Sequence, residues 1–202
     1  MIKYIVVALL FGAVAGYLNG NWRSVIDGVW VSNYLLNASL LLLLFVMGLV
    51  FAMDRQSIAK IRRTGFRILV VPLVVALGSV LGGLVSGLVL RIDVVATTAV
   101  SAGYGWYTLA GPLVGQIFGA KWGALGFTAN FLRELLTIVT ISSMVKLGKY
   151  APVASGGATS MDTTLPVIVR YCGPDMLIVA FWSGFVLSVI APFTIVAIAS
   201  LA

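Results

Sequence analysis

Residues 155–166 read "SGGATSMDTTLP", a run of small and hydroxylic residues around one aspartate, closed by a proline. The run lies in a chain of 202 residues that is 61% hydrophobic and holds six acidic residues in all. Neither an amphipathic soluble helix nor a strand is written this way. Flanked by apolar segments, it reads instead as a membrane crossing whose helix is broken at mid-depth, with Asp162 at the break.

The surroundings support that reading. Mean hydropathy is +1.11 and charged residues make up 9% of the chain, far below the ~25% of a soluble domain. A membrane helix needs about 20 apolar residues, so the length holds roughly six or seven crossings and leaves no room for a soluble catalytic domain. The net charge of +7 comes from basic residues between apolar runs, which are topology signals rather than a nucleic-acid surface. There is no histidine and one cysteine, Cys172. Histidine-based zinc sites, histidine general bases and an internal disulfide are thereby excluded.

Working outward, the apolar runs are 2–18, 34–53, 68–90, 94–119, 122–145 and 176–202, with 152–172 as a further, patchy one. The first resembles a signal peptide in outline and is read here as the first span. "DRQSIAKIRRTGFR" (54–67) carries five basic residues against one acid. By the positive-inside rule that loop is cytoplasmic, the N-terminus is inside and the 19–33 loop outside. Seven crossings then put the C-terminus outside. Lys121 and Arg170 fall inside, as the rule prefers, whereas Lys146 and Lys149 fall outside.

A second interrupted segment reads "SAGYGWYTLAGP" (101–112). In each of the two a glycine precedes a proline by nine residues, Gly103 to Pro112 and Gly157 to Pro166. Non-helical backbone within hydrocarbon leaves polar groups unpaired and persists only against protein or a water-filled cavity. Paired broken helices of this kind characterise secondary transporters. The expected architecture is an all-α integral membrane protein with one transmembrane domain over 1–202. Residues 1–93 form three conventional spans, and 94–202 form a transport core with breaks near 101–112 and 155–166, in an arrangement open to inverted repeats. The backbone of the breaks is assigned to Gly103, Gly105, Gly157, Pro112 and Pro166.

Two acids stand out. An acid at the bilayer centre costs at least ~2.5 kcal/mol, so it faces a cavity or a partner. Asp162 has Ser160, Thr163 and Thr164 nearby as hydroxyl partners, and it could equally cap a short helix entering "LPVIV". Glu134 shares a helix face with Asn130, four residues earlier. Arg133 either pairs with Glu134 or reaches elsewhere with its long side chain. Tyr104, Trp106 and Tyr107 either fill a helix contact or offer ring faces to a cation. An intramembrane aspartyl protease would need two neighbouring aspartates, and Asp54, Asp93 and Asp175 all sit near span ends; no enzyme is expected.

The stretches "SAGYGWYTLAGPLV" (101–114), "NFLRELLTI" (130–138), "GGATSMDTTLPVIVRYCGPDM" (156–176) and "FWSGFVLSVIAPFTIVAI" (181–198) resemble the bacterial LysO-type lysine exporter family. The likeness is close over 94–202; the first 90 residues share only the pattern of apolar runs. The resemblance implies export of L-lysine and toxic lysine analogues across the inner membrane in exchange for protons, with no cofactor or metal. It also implies that the acids of the Arg-Glu-Leu and Ser-Met-Asp motifs, here Glu134 and Asp162, are the important ones. Longer relatives carry a further N-terminal membrane segment. The expected partners are therefore lysine, protons, lipid, and a second copy or a small membrane protein supplying that half, unless the shorter form is self-sufficient.

Lysine leaves with charge +1 against an inside-negative potential worth ~2.3 kcal/mol per charge per 100 mV. Exchange for one proton moves no net charge. A desolvated carboxylate suits the task because it can hold a proton or an ammonium group but not both. The substrate carboxylate is expected at a half-helix N-terminus, near 160–164 or 103–106, with Arg133 as second candidate. The rival readings are a sodium/proton or other cation antiporter using the same acids, and a membrane subunit without a transport cycle.

Overall fold

The computed structural model describes residues 67–202 and scattered positions between 7 and 49. The chain divides into two compact units, Met1–Met53 and Asp54–Ala202. In the first, positions such as Val7, Phe11, Tyr17, Leu41 and Phe45 are helical and exposed. The expected spans 2–18 and 34–53 and the basic loop 54–66 otherwise lie outside the described residues.

In the second unit the described residues are helical, without strands. The helices are α1 (Arg67–Leu90), α2 (Val94–Ser101), α3 (Tyr107–Phe118), α4 (Ala120–Leu147), α5 (Ala151–Gly156), α6 (Leu165–Cys172) and α7 (Met176–Ala199). A 3₁₀ segment, Gly157–Met161, joins α5 towards α6. Three helical stretches among the described residues are long and apolar enough to cross a membrane: Leu69–Leu90, Ala120–Leu147 and Met176–Ala199. They coincide with the apolar runs 68–90, 122–145 and 176–202. The runs 94–119 and 152–172 are each two short helices with a break between them.

The helices pack as membrane helices do, small residues inward and large apolar residues outward. On α4 the buried positions are Gly123, Gly126, Asn130, Glu134, Thr137 and Ile141, spaced three or four residues apart and so on one face. Leu125, Leu132, Leu135, Leu136 and Val139 are exposed, as expected of a helix whose outer face meets lipid. Glycines then let backbones meet. A Cβ on Gly123 would lie 2.8 Å from Gly115 Cα and 2.9 Å from Gly111 O, and one on Gly126 3.1 Å from Ala110 O; α3 and α4 are in backbone contact along that line. Gly83 and Gly87 bring α1 equally close to α2 at Thr98 and Val94. At Gly184, α7 lies against Met161 N and Ala158 O of the 3₁₀ segment.

Asp93 caps α2, its Oδ1 accepting from Val95 N at 2.9 Å and Ala96 N at 3.0 Å. Pro166 lies in the first turn of α6, where its missing N–H costs little. Pro112 departs from expectation: it lies inside α3, not in the break. The break itself is the shorter stretch 102–106, because the chain regains helical geometry at Tyr107.

Candidate functional site

The two breaks meet each other. Tyr104 and Gly105 have positive φ, 52° and 101°, and so does Gly157, at 62°. The left-handed turn at Tyr104 costs about 1–2 kcal/mol for a non-glycine residue, and its surroundings hold it there. Ala158 N donates to Tyr104 O at 2.8 Å. A Cβ on Gly157 would overlap Tyr104 O, and one on Gly105 would lie 3.0 Å from Gly156 O. The two interruptions thus cross with backbone against backbone, which only glycine permits at 157.

Helix α4 supplies the polar partners that the broken backbones lack. Asn130 Oδ1 accepts from Gly105 N at 2.7 Å, and its Nδ2 donates to Val100 O at 2.9 Å and to Gly126 O at 2.8 Å. One amide therefore joins the end of α2 to the turn beyond it. Arg133, one turn along α4, does the same for the second break. Its Nε donates to Ser155 O at 2.8 Å and its Nη2 to Ala154 O at 2.9 Å, while Nη1 reaches Ser79 Oγ on α1 at 2.9 Å. Arg133 does not pair with Glu134, since consecutive helical residues point in different directions. Thr137 completes the row, its hydroxyl 2.7 Å from Ser155 Oγ.

Glu134 is 9% exposed, and its Oε2 is buried without a hydrogen-bond partner among the described residues. Thr163 and Asp162 are within its electrostatic reach. Asp162 and Thr163 are exposed. Asp162 Oδ1 accepts from Thr163 N at 2.6 Å and from Thr163 Oγ1 at 3.3 Å. Asp162 does not cap α6: the cap position falls at Thr164, which forms no side-chain capping bond. The Thr163 hydroxyl, bonded to Asp162 and within reach of Glu134, has one proton, so it can donate to one acid at a time. An arrangement of two carboxyls and a hydroxyl, one acid buried and one open, can bind a proton or an ammonium group.

The other expected site residues fall into separate places. Ser160 is buried with its hydroxyl 2.7 Å from Gly157 O and 2.8 Å from Ala180 O, so its one proton is shared between a local bond and one that ties the 3₁₀ segment to α7. Thr164 is buried with its hydroxyl 3.5 Å from that of Thr159. Tyr104 is fully buried, so its ring offers no face to a ligand; it is a core residue of the crossing. Tyr107 meets Phe127 and Phe131 edge-on, at centroid distances of 5.3 Å and 5.6 Å, and lies within electrostatic reach of Glu134 and Asp162. Trp106 is half-buried at the start of α3. Gly103 is packed against Asn130, where a Cβ would sit 2.8 Å from Nδ2.

Sequence reasoning missed the α1 contribution. Ser79, Gly82 and Ser86 line a cavity of about 220 Å³ with Val100 and Ser101 of α2 and Ala129, Asn130 and Arg133 of α4. The spacing of 79, 82 and 86 was a readable signal, since it places all three on one helix face. Among the described residues no group of three or more histidine, cysteine, aspartate or glutamate side chains could hold a metal ion.

Residues 6–199 match the family model described as lysine exporter LysO. The lysine exporter LysO of Escherichia coli (strain K12) is 35% identical over 159 residues, which are 78% of this chain and 52% of that protein. A Haemophilus influenzae protein described as a candidate lysine exporter is 26% identical over 191 residues, 94% of this chain and 93% of that protein. The chain thus spans about half the length of the Escherichia coli relative. No solved structure matches.

Proposed function

The chain belongs to the lysine exporter LysO family, and from that premise we propose that it is a multi-pass membrane transporter that moves L-lysine, and toxic analogues of it, out of the cytoplasm in exchange for protons. The observation that carries this reading is the position of Glu134. It is buried in the middle of a membrane-length helix with one oxygen unpaired, within electrostatic reach of the Asp162–Thr163 pair of a different, broken segment. Such an acid is expensive in a membrane unless it has an ion to bind.

In the proposed cycle Asp162 and Glu134 form one competitive site. Facing outward they take up protons and release lysine; facing inward they lose protons and bind its ammonium groups. One proton in for one lysine out leaves the membrane potential without effect on direction. On this reading α2–α3 and α5–α6 are two discontinuous crossings. With α1, α4, α7 and two segments before residue 54 they make seven, in the inner membrane with the N-terminus cytoplasmic and the C-terminus outside.

Purified protein reconstituted in liposomes loaded with labelled lysine tests the proposal. External acid should accelerate efflux, and Asp162→Asn or Glu134→Gln should abolish that acceleration in folded protein. Acid-driven efflux that survives both substitutions refutes the shared site. Inert wild-type protein in liposomes that regains efflux on addition of a small membrane partner establishes that a second polypeptide is needed.

A further inference from the structure

Arg133 is a cation within the packed body without a carboxylate at ion-pair distance among the described residues. Its three bonded partners are neutral oxygens: Ser155 O, Ala154 O and Ser79 Oγ. A guanidinium has five N–H donors, so one hydrogen on Nη1 and one on Nη2 are left over. A desolvated charge is costly when no opposite charge accompanies it. Beside it is the cavity between α1, α2 and α4, whose polar lining is Ser79, Ser86, Ser101, Asn130 and Arg133 itself. Among the described residues no acid lines it. Gly82 and Ser86 are exposed, so the cavity is open on the α1 side.

The hydroxyls of Ser79 and Ser101 beside a guanidinium with two unused N–H groups and no carboxylate among the described residues form an anion site, and the planar fork of arginine suits a carboxylate in particular. We infer that this cavity binds the α-carboxylate of the exported amino acid while the Glu134–Asp162 site takes an ammonium group. The inference rests on the proposed export of lysine and deepens it. It places the carboxylate at Arg133 and the serines of α1 and α2 rather than at a half-helix N-terminus. The cavity also bears on the crossing of the breaks. A Cβ on Gly157 would lie 3.1 Å from the Arg133 guanidinium carbon, so Arg133 touches the crossing and the ligand site with the same group.

The test is displacement of labelled lysine from purified protein by unlabelled lysine, by lysinamide and by cadaverine, which lacks the carboxylate altogether. Wild type should need about tenfold more lysinamide or cadaverine than lysine, as expected from the loss of one charge-assisted contact. Arg133→Gln should weaken lysine by a similar factor and abolish the preference. Because Arg133 also holds α5, Gly82→Leu serves as a second variant. Gly82 lines the cavity and a Cβ there meets nothing within 4 Å, so a leucine should occlude the cavity with little strain on the fold. It should weaken lysine, leave cadaverine unchanged and abolish the preference.

Equal displacement by lysine and lysinamide in wild type overturns the inference. So does a preference that persists in Gly82→Leu, which would put the carboxylate elsewhere, and so does a requirement for chloride without such a preference, which would make the occupant an inorganic anion. In those three cases lysine binding that is still lost in Asp162→Asn leaves the export reading standing. Wild-type protein that binds none of the three compounds removes both.

Discussion

Replacing Asn130 by leucine removes the amide that links the two sides of the first break. In the wild type Gly105 N–H is buried and donates to Asn130 at 2.7 Å. Val100 O, which accepts from Asn130 at 2.9 Å, also accepts from Gly103 N at 3.2 Å, and Gly126 O keeps its place in the helix ladder of α4. The substitution therefore leaves one buried backbone group, Gly105 N–H, unsatisfied. The loss is about 1–3 kcal/mol. Against a typical total of about 5–15 kcal/mol, that is a measurable fraction. Thermal unfolding of purified protein in detergent, followed by tryptophan fluorescence, should show a midpoint lower by several degrees. Hydrogen exchange should show the amides of 103–106 losing protection before those of α7. The alanine variant should behave alike, because the effect comes from the missing amide and not from leucine's bulk. An Asn130→Ala protein with wild-type melting and unaltered exchange over 103–106 would refute the argument that α4 replaces the backbone's lost partners.

Other substitutions probe the same frame. Gly157→Ala places a Cβ into Tyr104 O at a positive φ, so it should break the Ala158 N–Tyr104 O bond and lower both melting temperature and export; a wild-type Tm would contradict the crossing. Gly184→Ala meets Met161 N at 2.5 Å and Ala158 O at 2.6 Å, whereas a Cβ at Gly78 meets nothing. The first should destabilise, and Gly78→Ala should be neutral or gain up to about 1 kcal/mol from helix propensity, as thermal melts of the pair will read. Glu134→Gln removes a buried acid with no partner on one oxygen, so it should melt no lower than wild type while acid-driven export is lost, the usual opposition of function and stability at a binding site. A Glu134→Gln protein that unfolds early would assign Glu134 a structural role.

The long helices were readable because apolar run length is a strong signal. The runs 68–90, 122–145 and 176–202 appear as α1, α4 and α7 within a few residues. Between the short helices, Gly103, Gly105 and Gly157 stand where the backbone turns left-handed or approaches another chain segment, and glycine is the residue that permits both. Proline was the weaker guide. Pro166 starts a helix and Pro112 lies inside one, since proline fits a first turn and is tolerated further in when packing compensates. For Tyr104 the sequence left core filler and a ring open to a ligand as alternatives, because a sequence gives residue type but not the sign of φ. Its left-handed backbone turns the ring into the core. The α1 serines went unnoticed because their role depends on Arg133, 54 residues away in sequence.

What joins these observations is the row of side chains on α4. Asn130 serves the first break, Arg133 and Thr137 the second, and Glu134 is within electrostatic reach of the acid in the second break. The breaks are in turn joined to each other through Ala158 N and Tyr104 O. A shift of the 3₁₀ segment that changes how Thr163 is shared between Asp162 and Glu134 must therefore alter the Tyr104–Ala158 contact, the Arg133 contacts, or both. Conformational coupling needs such a connected element with two arrangements. The polar ties in the second unit are concentrated at this crossing, while the long helices around it meet mainly through apolar and small residues that can slide. Ion binding at one acid pair can then be felt at Arg133 without a rearrangement of the whole bundle. The consequence can be measured in a double-mutant cycle. Asn130→Ala, on α4 at the first break, and Asp162→Asn, in the second break, should be non-additive in their effect on thermal stability. Strict additivity would mean that the two breaks move independently and that α4 is only a scaffold.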